Sequence, residues 1–179
     1  LEKVAKAINE KKAKRALIQL PEGMKMHAFE IIDYLNKNTK VEVIVSGESN
    51  WGGCDIALDE AKNLKADLLV HFGHAQFIKA DFPVLYVEVK DNTNLNPLLK
   101  QSLKVLESFG KIGLVSSIQH LHKIDEVKIF YEENNKQVIV PIKKGFSAYD
   151  GHVVGCEYNS LKTINQEVDA FVVLGNQFH

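Results

Sequence analysis

Two cysteines are the residues whose type and placement could support chemistry. Cys54 and Cys156 each follow a glycine and precede an acidic residue, in the segments GGCD and VGCE. A thiolate can act as a nucleophile or as a ligand for zinc and iron–sulfur clusters. Two cysteines are too few for a closed metal site unless other ligands join them. The common alternative is that each is a buried small hydrophobic residue.

The surroundings of the two cysteines repeat along the chain. Three pairs of residues are separated by the same 102 positions: Cys54 and Cys156, Asp67 and Asp169, Gly73 and Gly175. Upstream the offset is about 95, between the VIV segments at 43–45 and 138–140. A duplicated unit explains this pattern, with a longer loop before the second cysteine. Equivalent positions in two repeats favour one shared metal or cluster site.

Short β-branched strands alternating with helices must position these loops. The predicted strands cover residues 16–20, 41–45, 68–72, 84–87, 112–116, 138–140 and 170–174. This alternation predicts an α/β fold of two repeated βαβ domains, each with a parallel sheet flanked by helices. The near-continuous apolar strands predict that both faces of each sheet are covered. A connection at 91–97 (DNTNLNP) divides the chain into repeats over residues 1–94 and 95–179.

Helical patterns occupy residues 24–36, 55–64, 98–109, 120–133 and 159–165, with Asp55 as a predicted N-cap. Each cysteine is therefore expected at or just before a helix N-terminus, where the helix dipole favours a thiolate. Loops that follow the carboxyl ends of parallel strands are the usual ligand-binding edge of an open α/β sheet.

Two loops of the first repeat carry further candidates. Pro21, Glu22 and Gly23 follow the first strand, and Glu22 either caps the next helix or contacts a ligand amine. Gly73 follows the third strand and allows a close backbone approach, which makes His74 the candidate for ligand contact.

The equivalent loop of the second repeat carries four candidates: Gly175, Asn176, Gln177 and His179. The remaining histidines have structural interpretations. His71 alternates with apolar neighbours inside a strand and is predicted to be packed, whereas His120 and His122 lie in a helical segment and are predicted to face solvent.

Composition excludes several classes of protein. The 179 residues are 45% hydrophobic and 25% charged with a net charge of −1, which excludes disordered, collagenous and coiled-coil chains. Arg15 is the only arginine, so a nucleic-acid or anionic-membrane partner is not expected. G-x-G-x-x-G, G-x-x-x-x-G-K-[ST], G-x-S-x-G and C-x-x-C are all absent. Without an apolar span or signal core, the chain is expected to be soluble and cytoplasmic.

Several of these segments resemble one known family. The segments IQLPEG (18–23), GGCD (52–55), ADLLVHFGH (66–74), VGC (154–156) and LGNQFH (174–179) are similar to the archaeal diphthamide-synthesis family, the 2-(3-amino-3-carboxypropyl)histidine synthases. The similarity covers nearly the whole chain, and residues 52–74 are its most specific part.

The resemblance implies a concrete chemistry. Members of the family are homodimers of three similar α/β domains, each contributing one cysteine to a 4Fe-4S cluster. An iron left open binds S-adenosylmethionine, and the reduced cluster releases a 3-amino-3-carboxypropyl radical that is added to a histidine of elongation factor 2. By this resemblance Cys54 and Cys156 are the first two cluster ligands. The loops at 21–23, 73–74 and 175–179 would line the cavity.

The chain departs from the family in lacking a third domain and a third cysteine. We therefore expect this polypeptide alone to be inactive and free of cluster. Two alternatives remain open at this point. One is a dehydratase similar to quinolinate synthase, which shares the design of three domains and three cysteines. The other is a two-domain α/β module that binds a small ligand and has structural cysteines.

Overall fold

Parallel strands joined by helices build both parts of the chain. A computed structural model describes residues 1–175, and the chain divides into two units, Leu1–Val89 and Lys90–His179. In each unit a central strand is flanked by the two strands that follow it, so the chain crosses from one side of the central strand to the other. Such a crossing is a topological switch point, where open α/β sheets bind their ligands.

The first unit is a four-stranded sheet with helices on both faces. In chain order it contains α1 (Glu2–Lys11), β1 (Arg15–Gln19), α2 (Ala28–Asn38), β2 (Glu42–Val45), α3 (Leu58–Asn63), β3 (Leu68–Phe72) and β4 (Val84–Val87). The strand order is β2-β1-β3-β4, and each of these pairs is parallel. Alternate side chains of β1 separate the two layers, because Ile18 packs in the core that includes α1 and α2 and Leu17 packs in the core that includes Ala61 of α3.

The second unit repeats this plan with three strands. It contains α4 (Asn96–Val105), β5 (Lys111–Ser116), α5 (Ile124–Glu133), β6 (Gln137–Ile139) and β7 (Ala170–Leu174). The strand order is β6-β5-β7, again parallel. Leu114 of β5 shares a buried core with Leu99 of α4 and with Val127 and Tyr131 of α5.

Strand register confirms the duplication. Ala16 pairs with Leu68 in the first sheet, and Ile112 pairs with Ala170 at the same place in the second. On the other side of the central strand, Val43 and Val138 occupy equivalent positions, which reproduces the upstream offset of 95. The predicted fold class of parallel α/β repeats is therefore confirmed. The division into residues 1–94 and 95–179 stays a prediction.

Several helices differ from their predicted extents. The helix predicted for 24–36 is a 3₁₀ turn over Glu22–His27 followed by α2, and the one predicted for 120–133 begins as a 3₁₀ turn over Leu121–Lys123. The helix predicted for 159–165 is only a 3₁₀ turn over Leu161–Thr163. There the Thr163 hydroxyl donates to the carbonyl of Ser160, the kind of local bond that competes with α-helix formation.

Strand β7, beside this short turn, is partly exposed on one face of the second sheet. The side chains of Phe171 and Val173 on β7 are 36% and 45% exposed, whereas the alternate residue Leu174 is 8% exposed. The expectation of a sheet covered on both faces is therefore wrong for β7. No helix within residues 1–175 has the length and apolar character that a membrane span requires.

Candidate functional site

Both cysteines lie on exposed loops as free thiols. The interpretation of Cys54 and Cys156 as buried hydrophobic residues is therefore wrong. Their predicted position beside a helix N-terminus is also wrong, because α3 begins only at Leu58 and no α-helix follows Cys156 within residues 1–175. Within the described residues neither cysteine therefore lies in or next to the first turn of an α-helix, where a helix dipole acts.

The Cys54 loop is closed by the acidic residue that follows the cysteine. The carboxylate of Asp55 accepts a hydrogen bond from the backbone N–H of Trp51 (3.0 Å), and the Asp55 N–H donates to the Gly52 carbonyl (3.0 Å). Asp55 is therefore not the predicted N-cap; Ala57 occupies that position. Because the Asp55 carboxylate closes the loop, it does not cap a helix, and α3 begins only at Leu58.

Two glycines bring the Cys54 loop and the loop after β1 against the end of β3. A Cβ atom at Gly53 would lie 2.7 Å from the carbonyl oxygen of Ala75 and 3.5 Å from Cβ of His74. Gly73 has φ +93°, and a Cβ there would lie 2.9 Å from Cγ of Pro21. Only glycine fits such contacts and such a backbone angle without strain. The structure thus brings the predicted residues Pro21, Gly73 and His74 together with the Cys54 loop at the switch point.

A buried hydrogen-bond chain lies beneath these loops. Gln19, which is 1% exposed, donates from Nε2 to the Asp55 carbonyl (2.8 Å) and accepts at Oε1 from the Ala57 N–H (3.1 Å). The same Oε1 lies 2.8 Å from Nδ1 of His71, and Nε2 of His71 lies 3.1 Å from Nδ1 of His74. The predicted packing of His71 is confirmed, since its side chain is fully buried.

Burial also determines the charge of His71. Removal from water lowers the pKa of this imidazole from 6.5 to about 4, because a buried cation loses its hydration. Repulsion from His74 lowers the pKa further, and the Asp55 carboxylate opposes the shift. His71 is therefore a neutral imidazole at physiological pH.

Glu22 is exposed and held by groups of its own unit. Its carboxylate accepts from the Ser49 hydroxyl (3.1 Å) and pairs with the Lys25 ammonium, whose hydrogen bond is the main cause that lowers the pKa of Glu22. The predicted capping role is wrong, because the 3₁₀ turn that begins at Glu22 has no side-chain cap. The neighbouring candidate Gly23 is exposed, and nothing lies within 4 Å of a Cβ placed there.

The Cys156 loop is built from different contacts. Glu157 accepts at its carboxylate from the backbone N–H groups of Phe146 (3.3 Å) and Asn159 (2.8 Å). Its own N–H donates to the Val154 carbonyl (3.1 Å), which makes a tight turn around the cysteine. The acidic residue after each cysteine therefore closes its loop in both units.

The loop before Cys156 is attached to the end of the central strand. Val153 donates its N–H to the Ser116 carbonyl (2.9 Å), and Ser116 donates to the Gly151 carbonyl (2.7 Å). His152 is 2% exposed and accepts at Nδ1 from the Ala148 N–H (3.0 Å). These bonds place the cysteine loop of the second unit at the carboxyl end of β5.

The buried polar pair of the first unit has no polar counterpart in the second. Gln19 pairs with His71 across β1 and β3, and Val115 pairs with Val173 at the equivalent register. A sheet of this topology consequently forms without the glutamine and histidine.

The remaining predicted candidates have mixed outcomes. Gly175 is exposed directly after β7, whereas Asn176, Gln177 and His179 lie outside the described residues. His122 is exposed as predicted. The prediction for His120 is wrong: its side chain is only 14% exposed, and its Nε2 lies 3.8 Å from the Asp91 carboxylate.

Sequence reasoning missed two residues that shape the first cysteine loop. Gln19 was hidden inside an apolar strand, although a polar residue at a buried strand position is itself a signal of a specific partner. Asn50 is 5% exposed and donates from Nδ2 to the Phe72 carbonyl (3.3 Å), which ties the start of the loop to the end of β3. Its place directly before WGGC was the available signal.

Fold and site together define a duplicated parallel α/β protein with one exposed cysteine loop in each unit. Residues 20–179 match the family model described as "Putative diphthamide synthesis protein", and the chain belongs to this family. The quinolinate-synthase-like reading loses its support with this match. Within residues 1–175 no three His, Cys, Asp or Glu side chains converge as a metal site.

Named relatives agree with the family match. The chain is 34% identical over 152 residues to the 2-(3-amino-3-carboxypropyl)histidine synthase of Pyrococcus horikoshii, covering 84% of this chain and 44% of that protein. It is also 34% identical over 182 residues to subunit 1 of the synthase of Homo sapiens, covering 96% of this chain and 39% of that protein. The chain thus spans less than half the length of these two relatives.

Solved structures show the same fold. The crystal structure of Dph2 from Pyrococcus horikoshii with a 4Fe-4S cluster superposes with a TM-score of 0.87 at 30% identity. The alignment covers 99% of this chain and 52% of that chain. A second crystal structure of the same protein gives a TM-score of 0.86 with the same coverage.

Proposed function

We propose that this chain supplies two of the three cysteines that hold a 4Fe-4S cluster in a 2-(3-amino-3-carboxypropyl)histidine synthase. The enzyme would transfer the 3-amino-3-carboxypropyl group from S-adenosylmethionine to a histidine of elongation factor 2, the first step of diphthamide synthesis. The observation that carries this proposal is one exposed thiol on an equivalent loop of each repeat, at Cys54 and Cys156. The names of the relatives and the cluster in the Pyrococcus horikoshii structure support it.

The donor set fits the cluster in kind. Thiolates are the usual ligands of 4Fe-4S clusters, and both thiols are accessible on loops tied to the ends of central strands. When bound and reduced, the cluster would supply the electron that breaks the bond from sulfur to the aminocarboxypropyl chain, a radical mechanism. A third ligand would come from residues beyond those of this chain, and we therefore expect this polypeptide alone to be inactive.

Residues around the Cys54 loop would bind the substrate. Pro21, Gly73 and His74 meet beside this loop, and a side chain at Gly73 would collide with Pro21. The Cys54 loop would therefore lie within reach of the polar groups of Glu22 and His74. Glu22 pairs with the ammonium of Lys25, and it would contact a substrate amine by an ion pair of the same kind.

The same proposal includes further substrate-binding residues, the assembly of the enzyme and its partners. Gly23, Gly175, Asn176, Gln177 and His179 complete the proposed set of substrate-binding residues. The enzyme would act as a homodimer in the cytoplasm on its protein substrate. With a net charge of −1 and a single arginine, the chain offers nothing that would favour nucleic acid or an anionic membrane as a partner.

The test is a transfer assay on the full-length enzyme that this proposal implies. It would be reconstituted anaerobically and incubated with S-adenosylmethionine labelled in the aminocarboxypropyl chain and with elongation factor 2. Label is expected on a histidine of the factor, and substitution of that histidine by alanine should abolish it. Absence of label after verified cluster loading would overturn the proposed reaction.

A further inference from the structure

Gln19 has an amide orientation that its neighbours determine. Its Nε2 faces a carbonyl oxygen, that of Asp55 (2.8 Å), and its Oε1 faces a backbone N–H, that of Ala57 (3.1 Å). Neither backbone group can change its role as acceptor or donor. Exchanging the nitrogen and oxygen of the amide would create two repulsive contacts in a buried site. Oε1 is consequently the atom that faces His71.

This orientation dictates where two histidines carry their protons. An oxygen that faces Nδ1 of His71 at 2.8 Å requires a proton on that nitrogen. The neutral ring then has its lone pair on Nε2, which lies 3.1 Å from Nδ1 of His74. His74 must therefore donate from Nδ1.

The chain of hydrogen bonds depends on a neutral His71. A protonated His71 would present a donor to His74 and reverse the second bond. The side chain is fully buried, and burial lowers its pKa to about 4. The direction of the chain is therefore maintained throughout the neutral pH range.

The fold itself does not need these polar groups. Val115 and Val173 occupy the equivalent positions of the second unit, and Val115 is fully buried there. A buried glutamine and histidine cost desolvation that two valines would avoid. Their presence in one repeat only indicates a role in the site of that repeat.

We propose that Gln19 is a positioning residue that connects the Cys54 loop to His74 and holds a proton on Nδ1 of His74. The Gln19 amide holds the segment that follows Cys54 by its hydrogen bonds to Asp55 and Ala57. Its hydrogen bond to His71 determines that the proton between His71 and His74 lies on Nδ1 of His74. The relevance of this arrangement to cluster and substrate rests on the proposed function, whereas the hydrogen-bond chain does not.

The experiment is nitrogen-15 NMR of the histidine rings in the 179-residue chain at pH 7, without iron, S-adenosylmethionine or elongation factor 2. Nδ1 is expected to carry a proton in both His71 and His74, and Nε2 of His71 is expected to be unprotonated. A proton on Nε2 of His71, or an unprotonated Nδ1 in either ring, would overturn the proposal. Because no ligand is present, this result is independent of whether the transfer assay succeeds.

The variant Gln19→Met tests the role of the amide. Methionine has a similar length but cannot accept from Nδ1 of His71, so the proton should move to Nε2, and His74 should change tautomer with it. Hydrogen exchange at the Ala57 N–H should accelerate by about tenfold, since its acceptor is lost. Unchanged tautomers in a folded Gln19→Met protein would contradict the proposal.

Ser46→Ala is the matched control. Ser46 is 2% exposed at the end of the neighbouring strand β2 and donates to the Glu60 carboxylate, outside the chain of hydrogen bonds. This variant should leave both tautomers unchanged. If Gln19→Met fails to fold, the tautomers of the unsubstituted chain still decide the proposal.

Discussion

Asp67 and Asp169 make the same contact at the same place in the two units. The Asp67 carboxylate accepts from the backbone N–H of Lys14 (2.9 Å), and the Asp169 carboxylate accepts from those of Gly110 (3.0 Å) and Lys111 (2.8 Å). In each unit the aspartate precedes one strand and satisfies N–H groups at the start of the central strand beside it. The repeated Asp is thus a structural residue of the duplicated fold.

Removing either carboxylate should destabilise its unit to a similar extent. We expect Asp67→Ala and Asp169→Ala each to lower the free energy of unfolding by about 1 kcal/mol, the typical net contribution of an intramolecular hydrogen bond. Urea unfolding of the chain measures this. Asp33→Ala, exposed on α2, is the control and should change stability much less. A neutral result at Asp67 with a large loss at Asp169 would contradict the equivalence.

Gly73→Ala should be strongly destabilising. The substitution combines a left-handed backbone angle with a Cβ 2.9 Å from Pro21, and we expect a loss of about 2 kcal/mol or more. Gly47→Ala is the matched control, because nothing lies within 4 Å of a Cβ at that position. Thermal or urea unfolding compares the two variants. Equal stability of the two would show that the loops after β1 and β3 do not pack as described.

Gly53 and Gly52 provide an adjacent pair for testing the Cys54 loop. Alanine at Gly53 would place Cβ 2.7 Å from a backbone oxygen, whereas alanine at Gly52 would meet only Sγ of Cys54 at an ordinary 3.5 Å. Gly53→Ala should therefore shift the loop and change the rate at which Cys54 reacts with a thiol reagent by several-fold. Gly52→Ala should react at nearly the rate of the unsubstituted chain.

The strands of both units follow from patterns that are visible in the sequence. Apolar β-branched runs predict each strand to within one residue, and the 102-position repeat anticipates two sheets of the same topology. Helix boundaries were predicted less well, because local side-chain bonds decide them. Asp55 closes a loop instead of capping a helix, and Thr163 bonds to Ser160 where a helix was expected.

The site was only partly predictable for a related reason. Glycines and cysteines after the predicted strands indicate the loops of the site. The structure brings Gly73 and His74 together with the Cys54 loop. Gln19 escaped detection because its role depends on Asp55, Ala57 and His71, which are distant in sequence. Such partners are determined by strand register and not by any local pattern.

Stability should depend on pH through His71. Its pKa is about 4 in the folded chain and 6.5 in the unfolded chain, so the unfolded state takes up the proton first as the pH falls. The stabilisation is complete above pH 6.5 and is lost between about pH 6.5 and pH 4, amounting to at most about 3 kcal/mol. Urea unfolding at pH 7 and pH 4.5 measures this loss.

Substitution of His71 tests whether this residue causes the pH dependence of stability. His71→Phe should unfold more easily at pH 7 but should lose less stability on acidification than the unsubstituted chain. His27→Gln, at an exposed position of the same unit, should keep the original pH dependence. If His71→Phe and the unsubstituted chain lose equal stability, His71 is not the titrating group.

The central claim is that Cys54 and Cys156 hold one cluster together. Its most direct test is the iron and sulfide content and the visible absorption of the anaerobically reconstituted full-length enzyme, compared with its Cys54→Ser and Cys156→Ser variants. The account predicts a 4Fe-4S cluster in the unsubstituted enzyme and loss of most of the iron and absorption in each single variant. Full retention of the cluster in either variant would contradict the claim.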